Sequence, residues 1–190
     1  MSNNITKTKI IEAAEELFLT NDFKDISIRK ICTLAGVSYG SFYHQIKSKE
    51  NLLVMIRENA VKEGEKIFLK EMENKSPVEK IIFISNLYID YIIRYGYKVS
   101  GYFMVLVVEN PLFASPPGAL RFLPELINEA VAAKEFDSKH DVGYIYRAIL
   151  SVLRGSVFEW CANKGENDLK ADVSKTFSFL IDNLRNKDNK

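Results

Sequence analysis

The residues capable of nucleophilic, redox or metal chemistry are few and scattered. Cys32 and Cys161 are the only cysteines, far apart and each within a predicted helix, so they form neither a metal-ligand spacing nor a disulfide framework. His44 and His140 are the only histidines, and His140 has no evident partner. Paired acids, a glycine-rich phosphate loop and a nucleophile motif are all missing. The sequence therefore offers no catalytic, metal or cofactor site, and reduced thiols are expected.

Nucleic-acid chemistry is a different matter. From Lys24 to Lys49 the cations are Lys24, Arg29, Lys30, Lys47 and Lys49, against the single acid Asp25. Upstream lie Glu12, Glu15 and Glu16. A formal net charge of +1 thus conceals a local basic face, which is what phosphate contact requires. Within it, Ser27 and Ser38 are each placed to cap a short helix, and Gly36 supplies the positive φ of a tight turn between them. That is the anatomy of a helix-turn-helix spanning Ser27 to Gln45.

Elements to hold this unit are legible on either side. Ile10, Ala14, Leu17 and Phe18 give a first helix one apolar face, with Thr6 as its expected cap. Ser48 caps a fourth, running to about Met72, roughly 36 Å at 1.5 Å per residue and long enough to bridge two domains. Ser76, Pro77 and Glu79 combine a capping box with proline in the first turn, opening a fifth helix that Gly96 ends near Tyr95. Lys98 to Asn110 reads as a sixth, buried helix stopped by Pro111, although the β-branched run Tyr102 to Val108 also suits a strand. Pro116, Pro117 and Gly118 form a loop, and a seventh helix runs from about Leu120 to Ala133 with a kink at Pro124. Ser138 and Asp141 open an eighth helix ended by Gly165; Leu169 to Leu184 is a ninth, and the polar tail from Asn186 frays.

A hydrophobic content of 47% over 190 residues supports a substantial core. The longest apolar stretch, Gly101 to Val108, is far short of the roughly 20 residues that span a bilayer. With a polar amino terminus, the expected location is the cytoplasm, at the nucleoid.

The run Ile10, Ala13, Ala14, Leu17, Phe18, Ser27, Ile28, Ile31, Ala35-Gly36-Val37-Ser38, Gly40, Phe42, Tyr43, Ser48-Lys49-Glu50 and Leu52 resembles the amino-terminal domain of the TetR family of repressors. It covers about a quarter of the chain in order and spacing. Asp22, Cys32 and Ile46 depart from the usual glycine, alanine and phenylalanine. The resemblance implies an all-α chain of about nine helices. Its first part is a three-helix helix-turn-helix domain over residues 1–48. A ligand-binding and dimerisation domain over 49–190 follows, with helix 49–72 as the connection. The second helix of the motif enters the major groove, which assigns DNA contact to Ser27, Arg29, Ser38, Tyr39, Gly40, Ser41, Tyr43 and His44, with Lys47 and Lys49 on phosphate. Without Arg or Lys in that helix, bidentate guanine readout is not available from it.

In the family the last two long helices pair with those of a second subunit. That assigns Ala148, Ser151, Val152, Gly155 and Phe158, with Phe177 and Leu180, to a homodimer interface; intramolecular packing is the alternative. The family's inducer pocket falls among the aromatic-rich helices, giving Tyr88, Tyr91, Tyr102, Phe103, Phe122 and Tyr146 as candidate lining for an apolar or aromatic, neutral or weakly charged ligand. The implied function is a ligand-responsive repressor, not an enzyme, whose partners are a palindromic operator in double-stranded DNA, a second copy and a small effector, with no membrane. A constitutive DNA binder and a small helical carrier or enzyme stand as alternatives.

Overall fold

The computed structural model describes residues 2–109 and 118–186, which form eight α-helices and no strand. The expected stop at Pro111, the prolines of the loop and the tail beyond Asn186 lie outside the described residues. Helix α1 spans Ser2–Thr20, so Thr6 sits inside it rather than at its cap. Helix α2 (Ile28–Ala35) begins where Ser27 Oγ accepts the Lys30 amide at 3.2 Å and ends at Gly36, φ 65°. Helix α3 (Tyr39–Gln45) is capped by Ser38, and α4 (Lys49–Glu71) by Ser48. Each cap satisfies an amide that the first turn leaves without an intrahelical acceptor.

The fifth and sixth expected helices are one element, α5 (Pro77–Glu109), interrupted at Gly96 with φ 74° and ψ 166°. The strand alternative at Tyr102 to Val108 is not adopted. At the start of α5 the Ser76 amide donates to Glu79 Oε2 at 2.7 Å, the reciprocal bond the capping box requires. A 3-10 turn, Gly118–Phe122, leads into α6 (Leu123–Ala132), where Pro124 occupies the first turn and starts the helix instead of kinking it. Asp141 caps α7 (Val142–Ala162) and Asp168 caps α8 (Leu169–Leu184).

Two apolar cores result. One gathers Ile10, Ala14, Phe18, Ile31 and Phe42 of the first three helices with Ile46 just past α3, takes in Leu52, Leu53 and Ile56 of α4, and reaches Tyr95, Val99 and Leu106 of α5. The other is built from α5 to α8 with Phe68 of α4 and Met72 just past its end. Phe42 is fully buried, and truncating it to alanine would cost about 3–5 kcal/mol, enough to unseat α3. Helices α4 and α5 therefore serve both cores, and whatever moves them moves the helix-turn-helix. Among the described residues no helix is long and apolar enough to cross a membrane.

Candidate DNA-binding face and ligand cavity

Helix α3 turns Phe42 into the core and leaves its opposite face open. Tyr39 and Tyr43 are about half exposed, their ring centroids 5.8 Å apart, and His44 is exposed with Nδ1 3.3 Å from the Gln45 amide. Ser38 Oγ accepts the Ser41 amide at 3.1 Å and lies 2.9 Å from Ser41 Oγ. A Cβ on Gly40 would meet only Ser38 Oγ, at 3.9 Å, so another surface can approach the backbone closely there. Ser27, Arg29 and Lys47 are exposed along the same unit. Of the ten residues assigned to DNA, Ser27, Arg29, Ser38, Tyr39, Gly40, Tyr43, His44 and Lys47 are exposed and Ser41 is half-buried.

Lys49 is the correction. Its ammonium donates to the backbone carbonyls of Phe23 at 2.6 Å and Ile26 at 2.8 Å, and lies 4.2 Å from the Phe23 ring centroid. Burial pulls its pKa below the ordinary lysine value. With two acceptors already held, the amine clamps the start of α4 to the turn before α2 instead of facing phosphate. Asp22, the departure from the family's glycine, is likewise explained by an ion pair with Lys98 of α5.

A cavity of about 400 Å³ lies between α4, α5 and α7, within the range of small-molecule sites. Of the six residues assigned to the effector pocket, Tyr88, Tyr91 and Phe103 line it. Three other candidates do not. Tyr102 stacks on Phe23 at 4.1 Å, Phe122 stacks on Phe68 at 5.2 Å, and Tyr146 packs half-buried against the carboxy-terminal core. Tyr95, another of the aromatic residues on these helices, also lines the cavity, and the reading missed Arg57, Ser100 and Arg154. Arg57 interrupts the stripe Leu53, Ala60, Val61, Gly64 on α4, and a charge within such a stripe was the available signal. For Arg154 we find none.

The cavity wall and the tether of the DNA-binding unit share residues. The Tyr95 hydroxyl donates to Glu15 Oε1 of α1 at 2.5 Å, and Arg94 pairs with the same oxygen at 3.0 Å. Burial, reinforced by the Glu15 carboxylate, holds the Tyr95 phenol far above its ordinary pKa, so it stays a donor. Tyr91, also in the lining, packs against Tyr95 with centroids 4.8 Å apart. Desolvation likewise pushes the Tyr91 phenol upward.

On α7, Ser151, Gly155 and Phe158 are exposed, Phe158 at 60%, and nothing lies within 4 Å of where a Gly155 Cβ would stand. Ala148, Val152 and Leu180 are partly buried. Phe177 is corrected: it is 5% exposed and belongs to the protomer's own core, while Phe179, not foreseen, is 73% exposed.

A helix-turn-helix carried on an all-helical body with a small-molecule cavity defines a DNA-binding transcriptional regulator. Residues 10–56 match the family model described as bacterial regulatory proteins, tetR family. The fatty acid metabolism regulator protein of Bacillus subtilis (strain 168) is 24% identical over 190 residues, spanning 94% of this chain and 95% of that protein. A TetR-family transcriptional regulator from Cytophaga hutchinsonii superposes with a TM-score of 0.74 at 17% identity, covering 98% of each chain. The transcriptional regulator FadR from Bacillus subtilis, solved in complex with stearoyl-CoA, gives 0.67 at 21% identity, covering 92% of this chain and 97% of that one. Residues 10–56 are thus similar to the DNA-binding domain of the tetR family, and the rest of the chain shares the fold of these solved regulators.

Proposed function

We propose that this regulator is a homodimeric repressor whose grip on a palindromic operator is released when a small molecule with a largely apolar body enters the cavity between α4, α5 and α7. The observation that carries this reading is Tyr95, which lines the cavity with its ring and holds Glu15 of α1 with its hydroxyl. A ligand that displaces α5 acts on the helix-turn-helix through that bond and through the Tyr102–Phe23 stack. Release requires the ligand to bind the DNA-incompetent arrangement more tightly than the competent one.

In this reading residues 1–48 are the DNA-binding domain and 49–190 the effector and dimerisation domain, joined by α4. Ser27, Arg29, Ser38, Tyr39, Gly40, Ser41, Tyr43, His44 and Lys47 meet DNA. The exposed stripe of Ser151, Gly155 and Phe158, with Phe179 of α8, meets a second copy, which sets two α3 helices on successive half-sites of one duplex face. The protein works in the cytoplasm, at the nucleoid.

The test is protection of DNA upstream of the protein's own gene, followed by titration with apolar compounds that raise its melting temperature. Tyr43→Ala, which leaves the core intact, should weaken binding at every salt concentration. In wild type log affinity should fall with log salt at a slope of about −0.9 per phosphate neutralised. Unchanged affinity in Tyr43→Ala, or DNA binding indifferent to every stabilising compound, refutes the site assignment or the release mechanism respectively.

A further inference from the structure

A second, smaller cavity of about 50 Å³ lies between α4, α5 and the 3-10 turn Gly118–Phe122. Arg57, Tyr88 and Tyr91 line both it and the cavity of about 400 Å³, so these three side chains form the wall between the two spaces. That wall is packed: the Arg57 guanidinium lies over the Phe103 ring at 4.8 Å, and the Tyr91 ring lies 4.8 Å from that of Tyr95. Beyond it the chemistry changes. Val61 and Gly64 of α4, Ile84 and Leu87 of α5, and Leu120 of the turn belong to a lining that, past the shared wall, has no polar side chain among the described residues. Water needs two to four polar partners and finds none there, whereas the space accommodates about three or four groups the size of a methylene.

The far end of the small cavity is fixed. Gly118, at φ 62°, brings the backbone of the turn against α4, where a Cβ would stand 3.5 Å from Val61 Cα. Phe122 stacks on Phe68 of α4 with centroids 5.2 Å apart, and Arg121 pairs with Glu65 at 3.2 Å. The cavity therefore has a definite depth. Gly64 keeps it open from the side of α4: glycine weakens a helix interior, and a Cβ at this position would meet no atom within 4 Å.

We infer that the effector carries an unbranched apolar tail, which runs from the large cavity past Arg57, Tyr88 and Tyr91 into the small one, where Gly64 and Leu87 limit its length. The inference rests on the large cavity being the effector site. Room for a few methylenes does not hold an aromatic ring, so the small cavity selects a thin chain and leaves any ring in the large one. Because Tyr91 packs against Tyr95, a tail that parts the shared wall bears on the ring whose hydroxyl holds Glu15 of α1.

The test uses a homologous series on the full-length protein. Neutral 6-acyl-2-dimethylaminonaphthalenes, with acyl chains from acetyl to dodecanoyl, combine one ring body with tails of increasing length, and their fluorescence reports entry into an apolar site. Wild-type affinity should rise about fourfold per methylene over the members whose tails enter the small cavity, the increment for burying one CH2. Gly64→Leu fills that cavity, so the rise should stop about three or four methylenes sooner, leaving the longest members about 60-fold weaker than on wild type and the shortest unchanged. Leu87→Ala should move the limit the other way, and melting curves check the fold of both variants. An affinity that does not rise with chain length overturns the inference, as does a length dependence that is the same in wild type, Gly64→Leu and Leu87→Ala. If no member of the series binds, the large cavity is not the effector site and both readings fall. Length-dependent binding that Gly64→Leu curtails, but that leaves operator affinity untouched, upholds the tail site and refutes the release mechanism instead.

Discussion

Tyr95→Phe isolates the coupling between cavity and DNA-binding unit, because it deletes one hydroxyl and keeps the ring that lines the cavity. The bond lost joins a phenol to an ionised carboxylate at 2.5 Å, and hydrogen bonds to charged groups contribute about 1.5–3 kcal/mol. Glu15 keeps Arg94 at 3.0 Å and is partly exposed, so no bare buried charge remains and the low end, about 1.5 kcal/mol, applies. For a chain of this size that is a fall in Tm of about 3–6 °C. The larger consequence is on regulation. If ligand and operator communicate through this bond, the coupling free energy, typically about 1–3 kcal/mol, should drop by about 1 kcal/mol or more, a fivefold loss in the shift of operator Kd. Fluorescence anisotropy of labelled operator, with and without a saturating compound that stabilises wild type and releases its operator, measures that shift, and the affinity of the compound is followed separately by thermal shift. A variant that melts within about 0.5 °C of wild type and shows the same compound-induced change in operator Kd would refute the reasoning.

Lys49→Met strands the carbonyls of Phe23 and Ile26 and should lower stability by about 1–3 kcal/mol while leaving the salt slope of operator binding unchanged; a slope smaller by about one charge with no loss of Tm would restore Lys49 to the phosphate backbone. Gly96→Ala places a Cβ in open space, but at φ 74° and ψ 166° its backbone alone should cost about 1–3 kcal/mol, read by denaturant titration; a neutral result would mean that α5 straightens through this position. Burial pushes the Cys161 thiol up to about 11, so iodoacetamide should react slowly at pH 8 and faster up to that value. Because the folded value lies above the ordinary one of 9.0, this contribution to stability is complete below pH 9 and lost as pH rises through 11, as urea midpoints across that range would record. A midpoint that does not change between pH 9 and 11 would exclude it.

Local chemistry was legible wherever a local signal suffices. Ser27, Ser38, Ser48 and the Ser76–Glu79 pair were read as caps because capping couples residues three apart. Gly96 was read correctly as a break, but a break does not reveal whether the chain leaves or resumes its direction. Lys49 was misread because its acceptors are backbone carbonyls 26 and 23 residues away, and a carbonyl leaves no trace in the sequence. Tyr102 and Phe103 illustrate the limit of aromatic content as a guide. They are neighbours about 100° apart on one helix, so one stacks on Phe23 while the other faces the cavity. Arg57 and Arg154 line one cavity only because the fold places α4 and α7 on its wall, which no spacing within either helix encodes. Phe177 and Phe179 likewise differ by two positions and face opposite ways, one inward and one to solvent.

The interruption at Gly96 also creates an isotopic marker. A residue at φ 74° and ψ 166° departs from helical geometry, so the hydrogen-bond ladder is expected to be weakest at the turn that restarts at Tyr97. Nearby, the buried Ser100 hydroxyl reaches back to the Ile92 carbonyl at 3.4 Å, bridging the break from its far side. Backbone amides just past Gly96 should therefore take up deuterium ahead of those on either flank, from a position between the two cores. Their exchange rate reports how often that hinge opens, before any ligand or operator is known, and a change in that rate on adding a compound identifies an effector by the loosening or tightening of one turn.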